Sequence, residues 1–114
     1  MMMSYPIHDL RALLANGSAL DGEMEQHGTE YVGEWRLPPA APGGLRTAHR
    51  SARFSNASDC FEWMLQEATR FAAHTKVPLD ALDNPCNDPF IDQQAQKQIA
   101  ARLGVGATIL LNGK

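Results

Sequence analysis

The apolar positions of this chain change spacing several times, and each change predicts an element. Between Pro6 and Ala15, Ile7, Leu10, Leu13 and Leu14 share one face of a short helix. Proline sits in its first turn and Asn16-Gly17 is its stop. Asp21-Gly22 then reads as a turn, and Glu23 to His27 and Thr29 to Leu37 read as extended. In the second of these, Tyr31, Gly33, Trp35 and Leu37 alternate with Glu30, Val32, Glu34 and Arg36, the period of a strand. Trp35 is expected in the core, on the face it shares with Tyr31 and Leu37. The run Pro38 to Gly44 cannot hold a ladder and is a loop. Leu45 to Phe54 is a further strand, and the three strands are expected to form an antiparallel meander.

The clearest element follows. Behind an N-cap at Ser55 or Asn56, a helix runs from Ala57 to about His74. Ala57, Phe61, Met64, Leu65, Ala68, Phe71 and Ala72 line its inner face. Val77-Pro78 ends it, Pro78 to Leu82 reads as one helical turn, and Asn84-Pro85 breaks the chain again. Asp88-Pro89 starts a last helix, carrying Phe90, Ile91, Ala95, Ile99 and Leu103 and stopping at Gly104. The tail from Val105 to Lys114 suits either a strand or a helical turn. The expected architecture is a single α+β domain over residues 1–114. An antiparallel three-stranded sheet packs on one long helix, with an N-terminal helix and a C-terminal helical segment around it.

Length and composition agree with one ordinary globular domain: 114 residues, 44% hydrophobic and 20% charged. The formal charge of −3 argues against a protein whose main task is coating nucleic acid. No apolar run approaches the roughly 18 residues that span a bilayer. The start of the chain has neither the basic nor the apolar stretch of a signal peptide, and Cys60 and Cys86 form no paired motif. A cytoplasmic protein with free thiols is therefore expected.

Most catalytic chemistries find no footing. The histidines at 8, 27, 49 and 74 fall in four different elements without zinc-ligand spacing. Asp80, Asp83, Asn84, Asn87, Asp88 and Asp92 lack the order that wraps a calcium ion, and capping and turn formation explain them better. No nucleophile elbow, phosphate loop or dinucleotide fingerprint occurs. No enzyme, metal or cofactor is expected.

Three features invite a binding role. On the long helix, Trp63 points away from the apolar face, among Gln66, Glu67, Arg70 and His74. An aromatic ringed by charges has the composition of a contact hot spot, unless the Pro-rich segment or the C-terminal helix covers it. Arg46, Arg50 and Arg53 concentrate positive charge on one strand. They suit phosphate contacts, or cross-strand pairing with Glu23, Glu25, Glu30 and Glu34. Gln98 to Val105 resembles the second helix and turn of a helix-turn-helix, with Ala100 at the crossing, Ile99 and Leu103 inward and Gly104 turning the chain. The resemblance implies a truncated recognition helix over Ala107 to Lys114. The alternative is an amphipathic helix closed by a glycine cap. The leading expectation is a non-enzymatic accessory, adaptor or inhibitor that binds another protein, alone or as a homodimer, through Trp63, Glu67, Arg70 and His74. The alternative is a nucleic-acid-binding regulator using Arg46, Arg50 and Arg53 or the C-terminal motif.

Overall fold

In the computed structural model, residues 6–37, 48–85 and 90–111 are described, the side chains at 37, 48–51 and 111 excepted. The first element corrects the expected N-terminal helix: Ile7–Leu14 is a strand, β1. His8, Leu10, Ala12 and Leu14 are buried, while Ile7, Asp9 and Arg11 are exposed. Only Leu10 and Leu14 of the four apolar positions that suggest a helix point inward, and with His8 and Ala12 they make the inward row of a strand, while Ile7 and Leu13 fall on the other face. Asn16-Gly17 is not a helix stop but the turn of a hairpin. Gly17 takes φ 91°, and the Asn16 side-chain oxygen accepts from the Ser18 backbone N–H at 3.0 Å and from its hydroxyl at 2.6 Å.

The second strand, β2 (Ala19–His27), pairs antiparallel with β1 and is longer than expected, because Asp21-Gly22 lies inside it rather than at a turn. Gly22 faces Trp35 across the ladder, and a Cβ there would collide with the indole. Strands β3 (Glu30–Leu37) and β4 (Ala48–Phe54) complete the expected meander. The expected loop at 38–44 lies outside the described residues.

Helix α1 (Ala57–Thr75) forms as its pattern predicts. The side chain of Asn56 caps it by accepting from the Asp59 N–H at 2.8 Å. Lys76, left-handed at φ 62°, closes it with its N–H on the carbonyls of the last turn. One correction follows. Pro78 to Leu82 is no helical turn, because Leu79–Asn84 is a strand, β5. Of the two forms that the C-terminal tail suits, it takes the strand: Thr108–Leu111 is β6, which leaves the recognition helix implied by the helix-turn-helix resemblance unformed there. Between them, α2 (Gln93–Arg102) is capped by Asp92. The expected helical stretch through Phe90 and Ile91 is corrected: both lie ahead of the helix, because the side chain of Asp92 accepts from the Ala95 N–H and sets the start there; Asp88-Pro89 lies outside the described residues.

The strands form one six-stranded sheet in the order β4-β3-β2-β1-β5-β6. Neighbours are antiparallel except β5 and β6, which run parallel. The α+β class therefore holds, and the three-stranded meander is half of a larger mixed sheet. The later strands were hidden because β5 and β6 are short, and β5 interleaves its apolar residues with Asp80 and Asp83. Both helices pack on the face that carries Leu10, Ala12, Leu20, Met24, Trp35, Leu82 and Ile109. Among the described residues, neither helix packs on the opposite face.

The helix lies very close to the sheet. A Cβ at Gly33 would come within 2.9 Å of the Cys60 Sγ and 3.0 Å of the Met64 Cγ. Beside it the buried Trp35 donates its indole N–H to the Met64 carbonyl at 2.8 Å. Gly33→Ala is expected to push α1 outward and to cost about 1–3 kcal/mol. A urea titration reads this as a lower midpoint, and an unchanged midpoint would contradict the close packing.

Candidate binding surfaces

The four side chains expected on the outer face of α1 are placed unequally. Trp63 does not stand clear of the apolar layer. It is half-buried, with its indole 5.9 Å from the ring of Phe54 at a 45° tilt, packed against the core. Glu67 is buried too, and its carboxylate meets the Arg70 guanidinium at 2.6 Å. Arg70 and His74 remain exposed. Helical geometry brings Glu67 and Arg70 together, three positions apart. The indole, drawn toward the end of β4, offers less open surface than the helical wheel implies.

The basic strand is also changed. Arg46 lies outside the described residues. Arg50 stands opposite Trp35 in the β3–β4 register, whereas Arg53 stands opposite Val32. The Arg53 guanidinium sits 2.7 Å from the Glu30 carboxylate, so cross-strand pairing accounts for that residue. With β6 a strand, the helix-turn-helix resemblance reduces to an amphipathic helix followed by Gly104 at φ 73°.

Beneath α2 lies a polar chain that the sequence did not announce. His8 of β1, Asn84 of β5 and Gln96 of α2 are fully buried. The Asn84 Oδ1 is 2.8 Å from the His8 Nε2, and the Asn84 Nδ2 donates to the Gln96 Oε1 at 3.0 Å and the Leu110 carbonyl at 2.8 Å. The Gln96 Nε2 donates to the Ile91 carbonyl at 2.9 Å. Backbone carbonyls only accept, so they fix both amides. Asn84 must turn its oxygen to His8, and the ring must donate from Nε2. In the neutral ring Nδ1 is then a bare acceptor, and among the described residues it has no hydrogen-bond partner. Burial pulls the His8 pKa below its ordinary value, against the opposing pull of the Asn84 hydrogen bond and the Asp9 carboxylate. Strand periodicity over 7–14 would have placed His8 inward; no local signal pairs it with Asn84.

The uncovered sheet face carries the most unusual electrostatics. One row of register neighbours alternates in sign: Asp83, Arg11, Asp21 and Arg36. The Arg11–Asp21 pair in this row closes to 3.0 Å. The adjacent row does not alternate, since Asp9 faces Glu23 and Glu23 faces Glu34. Glu23, Glu25, His27, Val32, Glu34 and Arg53 line a shallow pocket of about 230 Å3 there. Its cations are partly engaged, with Arg36 3.6 Å from Glu23 and His27 2.7 Å from Glu25. A hydrogen bond shared with Glu25, then burial and the neighbouring carboxylates, push the Glu23 carboxyl up to about 7. Its partner Glu25 is held below the ordinary range by that same bond and by His27.

Other chemistries find little here. Among the described residues, no group of three or more His, Cys, Asp or Glu side chains is placed to hold a metal ion. Cys60 is a buried free thiol pushed up to about 12 by burial, which leaves it protonated and inert at neutral pH. Among the described residues no helix is long and apolar enough to cross a membrane.

The folded chain holds the Glu23 proton more tightly than the unfolded chain. Its contribution to stability is therefore present at low pH and lost as pH rises from 4.5 to about 7. Glu23→Gln should accordingly melt above the parent at pH 8, with the gain shrinking as pH falls and disappearing below pH 4.5. Melting curves with a pH-independent difference would refute the carboxyl cluster. No protein-family model, no curated protein and no solved structure matches this chain.

Proposed function

We propose that the protein is a non-enzymatic binding module, an accessory, adaptor or inhibitor, whose open sheet face receives a basic segment of a partner protein. The observation that carries the proposal is the in-register row Asp9–Glu23–Glu34, with Glu25 beside it, on a face that neither helix covers. Like charges set directly across a ladder destabilise a sheet. Neither helix packs against them. A cationic partner would relieve the repulsion, so part of the folding cost returns as binding free energy and steers the encounter. Exposed Ile7, next to Glu25 in register, adds apolar area at the same end.

The outer face of α1 retains Arg70 and His74 for contacts, but Trp63 is half-occupied by Phe54, which moves the weight from helix to sheet. Two copies meeting by this sheet face would oppose acid to acid, so the occupant is a different, basic chain rather than a homodimer partner. Nucleic acid is the weaker alternative. Arg53 is engaged by Glu30, and the carboxylate row repels phosphate. A reducing, cytoplasmic setting suits the free thiol of Cys60.

A nuclear magnetic resonance titration tests the proposal with a 12-residue Lys/Arg-rich peptide and, separately, with duplex DNA. Saturable shifts of the β1–β3 amides are expected with the peptide, weakened at least tenfold in the Glu23→Gln/Glu34→Gln double variant and absent with DNA. Shifts centred on α1, equal peptide binding by the double variant, or saturation by DNA would overturn it.

A further inference from the structure

We infer that His8 is a proton-operated latch: a second proton on its ring releases α2 and β6, together, from the central strands. The inference stands apart from the proposed docking face. It rests on the buried chain His8–Asn84–Gln96, which joins β1, β5 and α2 and ends on the backbone carbonyls of Leu110 in β6 and Ile91 ahead of α2.

The polarity of this chain leaves the ring one way to ionise. Nε2 already donates to Asn84, so an incoming proton must go to Nδ1, the atom without a partner. The new N–H would be a buried donor with no acceptor, carried on a buried cation. The groups around the ring offer little relief. Asn84 and, behind it, Gln96 are neutral, and Met24 faces the ring from β2. Phe90 stands perpendicular to the ring with centroids 5.8 Å apart. Among the described residues, the one charge that acts on the ring is the Asp9 carboxylate, at the next position along β1 and on the opposite face of the sheet. Water is the remaining source of solvation, and the ring is fully buried.

The least costly route to water is to lift α2. That helix buries only Gln96, Ile99 and Ala100, whereas α1 buries seven residues. Gln96 is itself a link of the chain, so the proton disturbs one of the contacts that hold α2 down, the others being buried Ile99 and Ala100 and the Arg102–Glu62 ion pair to α1. The four-residue β6 would leave with it, because Gln93 at the start of α2 donates to the Ile109 carbonyl at 3.0 Å. Such sub-global opening draws on the least anchored part of a fold. The direction with pH follows from the burial of the ring. The open form binds the proton more tightly than the closed form, so the latch is shut at neutral pH. It loosens as pH falls below the ordinary value of 6.5 toward the depressed value of the closed state.

Hydrogen–deuterium exchange on the whole chain at pH 7.5 and 5.0, corrected for intrinsic rates, tests the latch. Protection of the α2 and β6 amides should fall by up to about tenfold per pH unit within that window, while α1 and β2–β4 keep theirs. His8→Gln, whose amide can still donate to Asn84 but cannot take up the proton, should remove the pH effect, and His74→Gln should leave it intact. If His8→Gln does not fold, ring ¹⁵N shifts of the parent decide in its place. His8 should stay in the Nε2–H form at pH 6 and gain its second proton only as the α2 and β6 amides open. Unchanged α2 and β6 protection at pH 5.0, uniform loss across all elements, a pH effect that survives His8→Gln, or an ordinary His8 titration uncoupled from opening would each overturn the inference.

Discussion

Because Gly33 has no side chain, Cys60 and Met64 rest directly on the backbone of β3, and α1 lies deep enough for the Trp35 indole to reach the Met64 carbonyl. The same indole needs the empty position at Gly22 on the neighbouring strand. Two glycines and one tryptophan thus set the height of the helix over the sheet, and other placements follow from it. Leu65 and Ala68 are buried at that height, and Trp63 is carried down against Phe54 instead of standing in water. The surface chemistry of α1 is therefore a by-product of a core contact.

The sequence disclosed these elements in proportion to how local their signals are. Helix α1 was legible because its cap, its apolar face and its stop all lie within one stretch, and the β2–β4 meander because Glu30 to Leu37 alternates. The strand β1 was misread as a helix. The helical period gathers all four of Ile7, Leu10, Leu13 and Leu14 on one face, whereas the strand buries only Leu10 and Leu14 of them, and the deciding residues, His8 and Ala12, are not ones that hydrophobicity marks as core. Residues 79–84 and 108–111 find their strand identity in each other and in β1, which no window of either segment contains. Of the proposed acidic face, Glu23, Glu25 and Glu34 were noticed only as counter-ions for the arginines. The opposition of Glu23 to Glu34 and to Asp9 is a property of register, and the Asp9 part of it depends on β1 being a strand.

The two faces of the sheet handle polarity in opposite ways. Under the helices, each amide of Asn84 and Gln96 is satisfied in one geometry, and the mismatch is confined to a single imidazole nitrogen. On the open face, carboxylates crowd one another without burial deep enough to force a unique arrangement, and they settle the conflict by sharing a proton. The first arrangement gives α2 a defined seat; the second keeps a charged surface adjustable.

The order of the strands has a consequence for how the chain assembles. The first four strands pair in succession and can zip up as they are made, but β1, the earliest, keeps an open hydrogen-bonding edge until β5 arrives from beyond α1. Closing that edge joins segments some seventy residues apart, a slow, high-contact-order step. Until it happens, the half-built sheet ends at β1 in a bare margin that is internal in the finished molecule, and during synthesis that margin is open to pairing with another chain.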